Sequence, residues 1–125
     1  MTVRAVDPRS LLPLTPLAFQ VLLALAETER HGYAIIQEIE AQAGGAPLRT
    51  GTLYTVLQRL VDEQLIDESD ARPGRGDDQR RRYYALTPFG RSVLAAEARR
   101  LESLVGTARR RRVLGRTAKG VGAGR

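Results

Sequence analysis

The chain has 125 residues, 42% of them hydrophobic, enough to bury one modest core and to make a single domain the expectation. It has no cysteine and one histidine, which excludes disulfides and thiolate metal sites and leaves little for metal or nucleophilic chemistry. The net charge of +6 is concentrated at one end: residues 109–125 hold seven basic side chains and no acid, so residues 1–108 carry 13 basic against 14 acidic groups, a net of −1. A nucleic-acid surface must therefore be argued from local clusters and not from the isoelectric point. The chain does not start like a signal peptide, and its longest apolar run, residues 21–26, is far too short to span a bilayer. A cytoplasmic protein without a membrane partner is expected.

Residues 1–13 include Pro8 and Pro13 among alternating charged and apolar residues. They read as a flexible arm with a short docked turn around Leu11 and Leu12. Thr15-Pro16 then starts a helix, with threonine as N-cap and proline at the first helical position, where its missing N–H costs nothing. Leu17, Val21 and Leu25 form one ridge and Phe19 and Leu22 another, so this helix is expected to be buried on most of its surface. Charged residues 27–30 end it. His31-Gly32-Tyr33 opens a second helix, closed by Gly44-Gly45, with Ile35, Ile36 and Ile39 inward. His31 has no second histidine and no carboxylate pair beside it, and takes a capping or packing role. Tyr33, at the helix start, is placed to reach a phosphate, although tyrosines so placed also pack.

Residues 49–66, RTGTLYTVLQRLVDEQLI, are the stretch around which the rest is organised. Leu53, Val56, Leu57, Leu60 and Val61 make one apolar stripe at helical spacing, with Thr52, Thr55, Gln58, Arg59 and Asp62 on the other side. Thr50 is the expected N-cap, and Gly51 permits close backbone approach at the first turn. Hydroxyls, an amide and a guanidinium near a helix N-terminus suit phosphate oxygens and base edges, although a polar helix face is more commonly just solvated. Context decides between these readings. Residues 65–69 and 80–86 read as strands joined by a Pro/Gly-rich turn, a hairpin directly after the third helix. This wing holds five arginines between Arg72 and Arg82 against Asp77 and Asp78, a local net of +3. The candidate DNA-binding residues are Tyr33, Thr50, Thr52, Tyr54, Thr55, Gln58 and Arg59, with Arg75, Arg80 and Arg82 of the wing.

Thr87-Pro88 repeats the cap-plus-proline signal and launches a long helix. Leu94, Ala98, Leu101, Val105 and Ala108 recur at spacings of 4, 3, 4 and 3, a heptad seam too long to bury on one small domain. A homodimer is predicted in which this helix packs against the partner's copy and also touches the partner's N-terminal arm or first helix. The fold class is mainly α with a small β-hairpin: an arm at 1–13, a winged helix-turn-helix at 14–86, a dimerisation helix at 87–112 and a disordered basic tail at 113–125.

Three blocks, HGYAIIQEIE, GTLYTVLQRLVDEQLI and RRYYALTPFG, in this order and at this spacing, resemble the signatures of the PadR family of winged-helix transcriptional regulators over residues 14–108. The single C-terminal helix is similar to that of the family's short subgroup. The resemblance implies a dimeric repressor without catalytic activity or cofactor, often released by a small molecule. Family members that sandwich flat drugs between tryptophans are not matched, because this chain has no Trp. Phenolic or other aromatic effectors between the first and fourth helices stay open. Where the family commonly has glycine after the third helix, this chain has Gln64, so that helix is expected to end without the usual left-handed glycine. The alternative to a DNA-binding regulator is a winged-helix module that binds another protein. An enzyme is disfavoured by the absence of a metal-ligand cluster or phosphate-binding glycine loop.

Overall fold

A computed structural model describes residues 6–69 and 82–115. After a 3-10 turn at Pro8–Leu11 come α1 (Pro16–Ala24), β1 (Arg30–His31), α2 (Gly32–Gln42), α3 (Thr50–Asp62), β2 (Ile66–Ser69), β3 (Tyr83–Leu86) and α4 (Pro88–Arg110). Arg75, Arg80 and the tail from residue 116 lie outside the described residues.

Three helices begin on the side chains that local chemistry selects. Thr15 Oγ1 accepts from the Ala18 N–H at 3.1 Å, Thr87 Oγ1 accepts from the Gly90 N–H at 2.8 Å, and His31 Nδ1 accepts from the Ala34 N–H at 3.2 Å. His31 is thus a cap. The start of α3 departs from expectation: Arg49 is the N-cap, without a side-chain cap bond, and Thr50 is already helical. Arg49 supplies the extended residue whose carbonyl accepts the first helical bond, from Leu53 N–H at 3.1 Å, which leaves no capping vacancy for Thr50.

The end of α3 closes without glycine, as the sequence requires. Gln64 adopts φ +66°, so the left-handed residue is present although it is not glycine. Its N–H donates to the Val61 carbonyl and the Leu65 N–H to the Leu60 carbonyl, each at 2.9 Å, the paired bonds of a Schellman motif. Leu60 and Leu65, which frame the motif, are both buried in the core.

The core gathers Val21, Leu22 and Leu25 from the α1 region, Ile35 from α2, Leu53, Leu57 and Leu60 from α3, and Val93 from α4. Helix α1 is less enclosed than its apolar sequence predicts. Leu23 is 42% exposed and Leu17 and Phe19 only partly buried, because a nine-residue helix meets its neighbours along one side.

The hairpin is one strand richer than expected. The sheet order is β1-β3-β2, all antiparallel, with Ile66 opposite Leu86, Glu68 opposite Tyr84 and His31 opposite Tyr83. Two residues before α2 therefore tie the base of the wing to the helix-turn-helix.

Helix α4 starts hard against the α3–β2 junction. The Thr87 N–H donates to the Leu65 carbonyl at 3.1 Å, and a Cβ at Gly90 would collide with that same oxygen. Along α4, Gly90, Val93, Leu94 and Glu97 are buried, and the helix then runs beyond its own domain, leaving Leu104 and Val105 exposed. Of the five seam positions, Leu94 lies in this chain's own core, Leu101 and Ala108 are half-buried, and Ala98 and Val105 are exposed. The seam is the outward continuation of the stripe that α4 uses to hold its own domain.

Candidate nucleic-acid interface

Burial of Leu53, Leu57 and Leu60 fixes the rotation of α3, and with it which side faces out. Thr50, Gly51, Thr52, Tyr54, Thr55, Gln58 and Arg59 are all exposed. A Cβ added at Gly51 would meet nothing within 4 Å, so the first turn of α3 offers bare backbone for a reason its own packing does not supply. Arg49, absent from the sequence-derived candidates, stands exposed at this helix start. Its position directly before the Thr-Gly-Thr turn was the available signal.

Several candidates are engaged within the helix. Gln58 Nε2 donates to Asp62 Oδ1 at 3.0 Å, Thr55 Oγ1 donates back to the Gly51 carbonyl at 3.0 Å, and Arg59 Nε lies 3.6 Å from Glu63 Oε2. These exposed pairs are weak, and a ligand can replace them at a cost of about 0.3–0.5 kcal/mol each. Arg59 is thus drawn toward the helix C-terminus, away from the first turn.

Two contacts mark the start of α2, one made by Tyr33 and one by Tyr54. Tyr33 is 56% exposed and stacks on His31 at a centroid separation of 6.4 Å, while His31 meets Tyr83 edge-on at 5.7 Å. The Tyr54 ring lies over Gly32, so closely that a Cβ there would overlap its hydroxyl. An aromatic ledge thus runs from the start of α2 to β3 and couples the helix-turn-helix to the wing.

On the wing, Arg82 Nη1 lies 3.5 Å from Glu68 Oε2, and the Tyr84 hydroxyl reaches the same carboxylate oxygen at 3.4 Å. Burial, and then the nearby Glu68 charge, push the Tyr84 phenol up to about 12. Tyr84 is therefore a neutral donor at any working pH. Arg82 is held toward the sheet by Glu68.

No helix among the described residues is long and apolar enough to cross a membrane, and no group of His, Cys, Asp or Glu among them could hold a metal ion. Three packed helices, a three-stranded antiparallel sheet and a polar α3 on the outer surface define a winged helix-turn-helix protein.

The model of the transcriptional regulator PadR-like family matches residues 21–96. The chain is 38% identical over 85 residues to the transcriptional regulator Rv3488 of Mycobacterium tuberculosis, covering 67% of this chain and 74% of that one. It is 41% identical over 86 residues to an uncharacterised 37.1 kDa protein in transposon TN4556 of Streptomyces fradiae. That match covers 69% of this chain but only 23% of the Streptomyces protein. Among solved structures, Bacillus subtilis PadR in complex with operator DNA superposes with a TM-score of 0.56 at 24% identity, over 66% of this chain and 47% of that one. The chain belongs to the PadR-like family and is a transcriptional regulator, not an enzyme.

Proposed function

We propose that this regulator is a homodimeric, sequence-specific DNA-binding repressor that reads its operator with the N-terminal face of α3. The observation that carries the reading is the exposed first turn of α3, where Arg49, Thr50 and Thr52 flank the bare backbone of Gly51 on a helix anchored by Leu53 and Leu57. Backbone N–H groups and hydroxyls at a helix N-terminus are suited to phosphates and base edges in a major groove. The operator complex of Bacillus subtilis PadR supports this mode for the fold.

In this reading Thr50, Thr52, Thr55 and Gln58 approach bases or phosphates, Tyr33, Tyr54 and Arg59 contact the backbone, and Arg75, Arg80 and Arg82 of the wing hold adjacent phosphates or the minor groove. Gln58 must first exchange Asp62 for a base edge. Two protomers joined along α4 read inverted half-sites about one or two helical turns apart. A small aromatic effector releases the operator by changing the angle between the two reading heads.

Selection of binding sites from random duplexes, followed by salt titration, tests this. A palindromic site should emerge, with affinity falling steeply as salt rises. Arg75→Ala with Arg80→Ala should weaken binding to every sequence, and Thr52→Ala or Gln58→Ala should change which sequence is preferred. A pure protein that shows no salt-sensitive preference for any duplex refutes the proposal and leaves a protein-binding winged helix in its place.

A further inference from the structure

The positive excess of this chain sits in residues 109–125, seven basic groups without an acid, beyond a body of net −1. The first four, Arg109, Arg110, Arg111 and Arg112, follow one another at the end of α4, and all are exposed. None of the ion pairs among the described residues involves them. Arg110 Nη2 donates to Thr107 Oγ1 at 3.1 Å, which leaves most of its guanidinium N–H groups unused.

The cluster stands on a closed helix end, not a frayed one. Arg112 takes φ +62°, its N–H donates to the Arg109 carbonyl at 3.0 Å, and the Val113 N–H donates to the Ala108 carbonyl at 2.9 Å, the two bonds of a Schellman motif. The backbone under the guanidiniums is therefore fixed. Successive residues turn about 100° around a helix, so Arg110 lies roughly opposite the seam residue Ala108, with Arg109 and Arg111 to either side. A dimer joined along α4 cannot cover them all. Nor does the helix end call for so many: one cation in the last turn complements the dipole, whereas four in succession repel one another until an outside anion neutralises them.

We propose that Arg109, Arg110, Arg111 and Arg112 form a second nucleic-acid contact, which grips duplex phosphates outside the half-site read by the same protomer's α3 and supplies sequence-independent attraction to DNA. It rests on the DNA-binding reading for its partner and on the cluster alone for its site. Three features select a phosphate backbone. Beyond the wing, the near-neutral body has little field with which to draw in a polyanion, and the segment 109–125 supplies one. That segment has no aromatic side chain on which a base could stack, so the contact follows the backbone. The 23 residues of α4 span about 34 Å, which carries the cluster about one turn of duplex away from the α3–β2 junction where the helix begins. An anionic membrane suits it less well: the apolar neighbours Val113 and Leu114 offer too little surface to anchor in a bilayer interface.

Titration of the full chain across salt, on long duplexes with and without the selected site, tests the contact. The fourfold variant Arg109→Gln, Arg110→Gln, Arg111→Gln, Arg112→Gln keeps the helix end, because glutamine already holds a left-handed turn at Gln64. It should bind both duplexes about tenfold or more weakly, and its slope of log affinity against log salt should shrink by about 0.9 for each phosphate contact removed, with the same sequence preferred. Lysine at the four positions should restore both affinity and slope. Trimming the duplex to the bare site should weaken the parent and change the glutamine variant little. The proposal is overturned if the glutamine variant keeps the parent's salt slope, if the lysine variant loses as much as the glutamine one, or if the glutamine variant has a halved sedimentation mass, which would make the cluster part of the dimer contact. Loss of binding to phosphatidylserine vesicles with none on duplexes overturns it too, and makes a membrane the partner. An unchanged slope with sequence preference intact sinks this contact alone. Salt-dependent binding that the glutamine variant loses, in a parent that prefers no sequence, sinks the operator reading and keeps the contact.

Discussion

The Tyr54 hydroxyl occupies the space that a side chain at Gly32 would need. This contact links α3 to the first turn of α2, whose next residue, Tyr33, stacks on His31. Gly32→Ala should push the ring outward at a modest cost in stability, about 1 kcal/mol, because the displaced atoms are the far end of one side chain. Its larger effect is expected on operator affinity, since the aromatic ledge and the first turn of α3 move together. Paired urea unfolding and DNA titration would check this. A variant as destabilised as a core truncation, or one with unaltered DNA affinity, would contradict the relationship inferred between the two residues.

Gln64 stands at φ +66°, a conformation that costs a side-chain-bearing residue about 1–2 kcal/mol and glycine nothing. Gln64→Gly should therefore stabilise the chain, by about 0.5–1 kcal/mol after the added freedom of the unfolded glycine is subtracted. The urea midpoint should rise with an unchanged slope.

The same position shows where sequence reading reaches and where it stops. Helix starts were legible because Thr15-Pro16, Thr87-Pro88 and the His31 cap act within four residues of chain. The inward stripe of α3 was legible because periodicity alone sets it. At Gln64 the missing glycine was legible, but that a glutamine takes the left-handed conformation in its place, between the buried Leu60 and Leu65, was not. The strand Arg30–His31 is too short for any alternation to register, and it exists because β3 is there to pair with it. At the interface, the outward row of α3 followed from the stripe, whereas the pairing of Arg59 with Glu63, the approach of Tyr54 to Gly32 and the hold of Glu68 on Arg82 depend on side-chain directions that spacing does not encode.

Glu97 is the buried charge among the described residues, 1% exposed, and it joins parts of the chain that are far apart in sequence. It accepts from Arg100 at 2.6 and 2.9 Å and from the Leu14 N–H at 3.2 Å, across 83 residues. The Arg100 guanidinium holds this carboxyl below its ordinary value of 4.5, with the Leu14 N–H adding to the effect against the opposing influence of burial. Because the folded value is the lower one, the unfolded chain takes up the proton first. The stabilisation is full above about pH 5 and is lost as pH falls through the folded value. Glu97→Gln should cost about 1–3 kcal/mol at neutral pH, discounted for the partial exposure of Arg100, and should flatten the decline in stability between roughly pH 5 and pH 3. Urea midpoints across that range would check it; parallel curves for the two proteins would mean that Glu97 is not the group titrating.

The outward continuation of the α4 stripe gives the dimer its test. Leu101 is half-buried and Val105 is 43% exposed, so both can be changed without opening the core. Leu101→Glu with Val105→Glu should halve the mass in sedimentation while leaving helical content near that of the parent, because four carboxylates would face one another across a two-fold seam. Leu94→Glu should instead unfold the protomer, since Leu94 is in its own core. A double variant with unchanged mass would place the subunit contact elsewhere.

Gly51 separates the demands of folding from those of recognition most sharply. Glycine inside a helix costs about 0.5–1 kcal/mol relative to alanine, and nothing lies within 4 Å of where the added methyl would stand. Gly51→Ala is therefore expected to raise stability by about that amount. If the first turn of α3 enters a major groove, the same methyl sits between helix backbone and DNA, and operator affinity should fall severalfold even though the protein is more stable. Thermal unfolding and DNA titration on one preparation read both effects. A stabilised variant that binds its operator as well as the parent would show that α3 does not approach DNA through its first turn, and would move the reading surface toward Gln58.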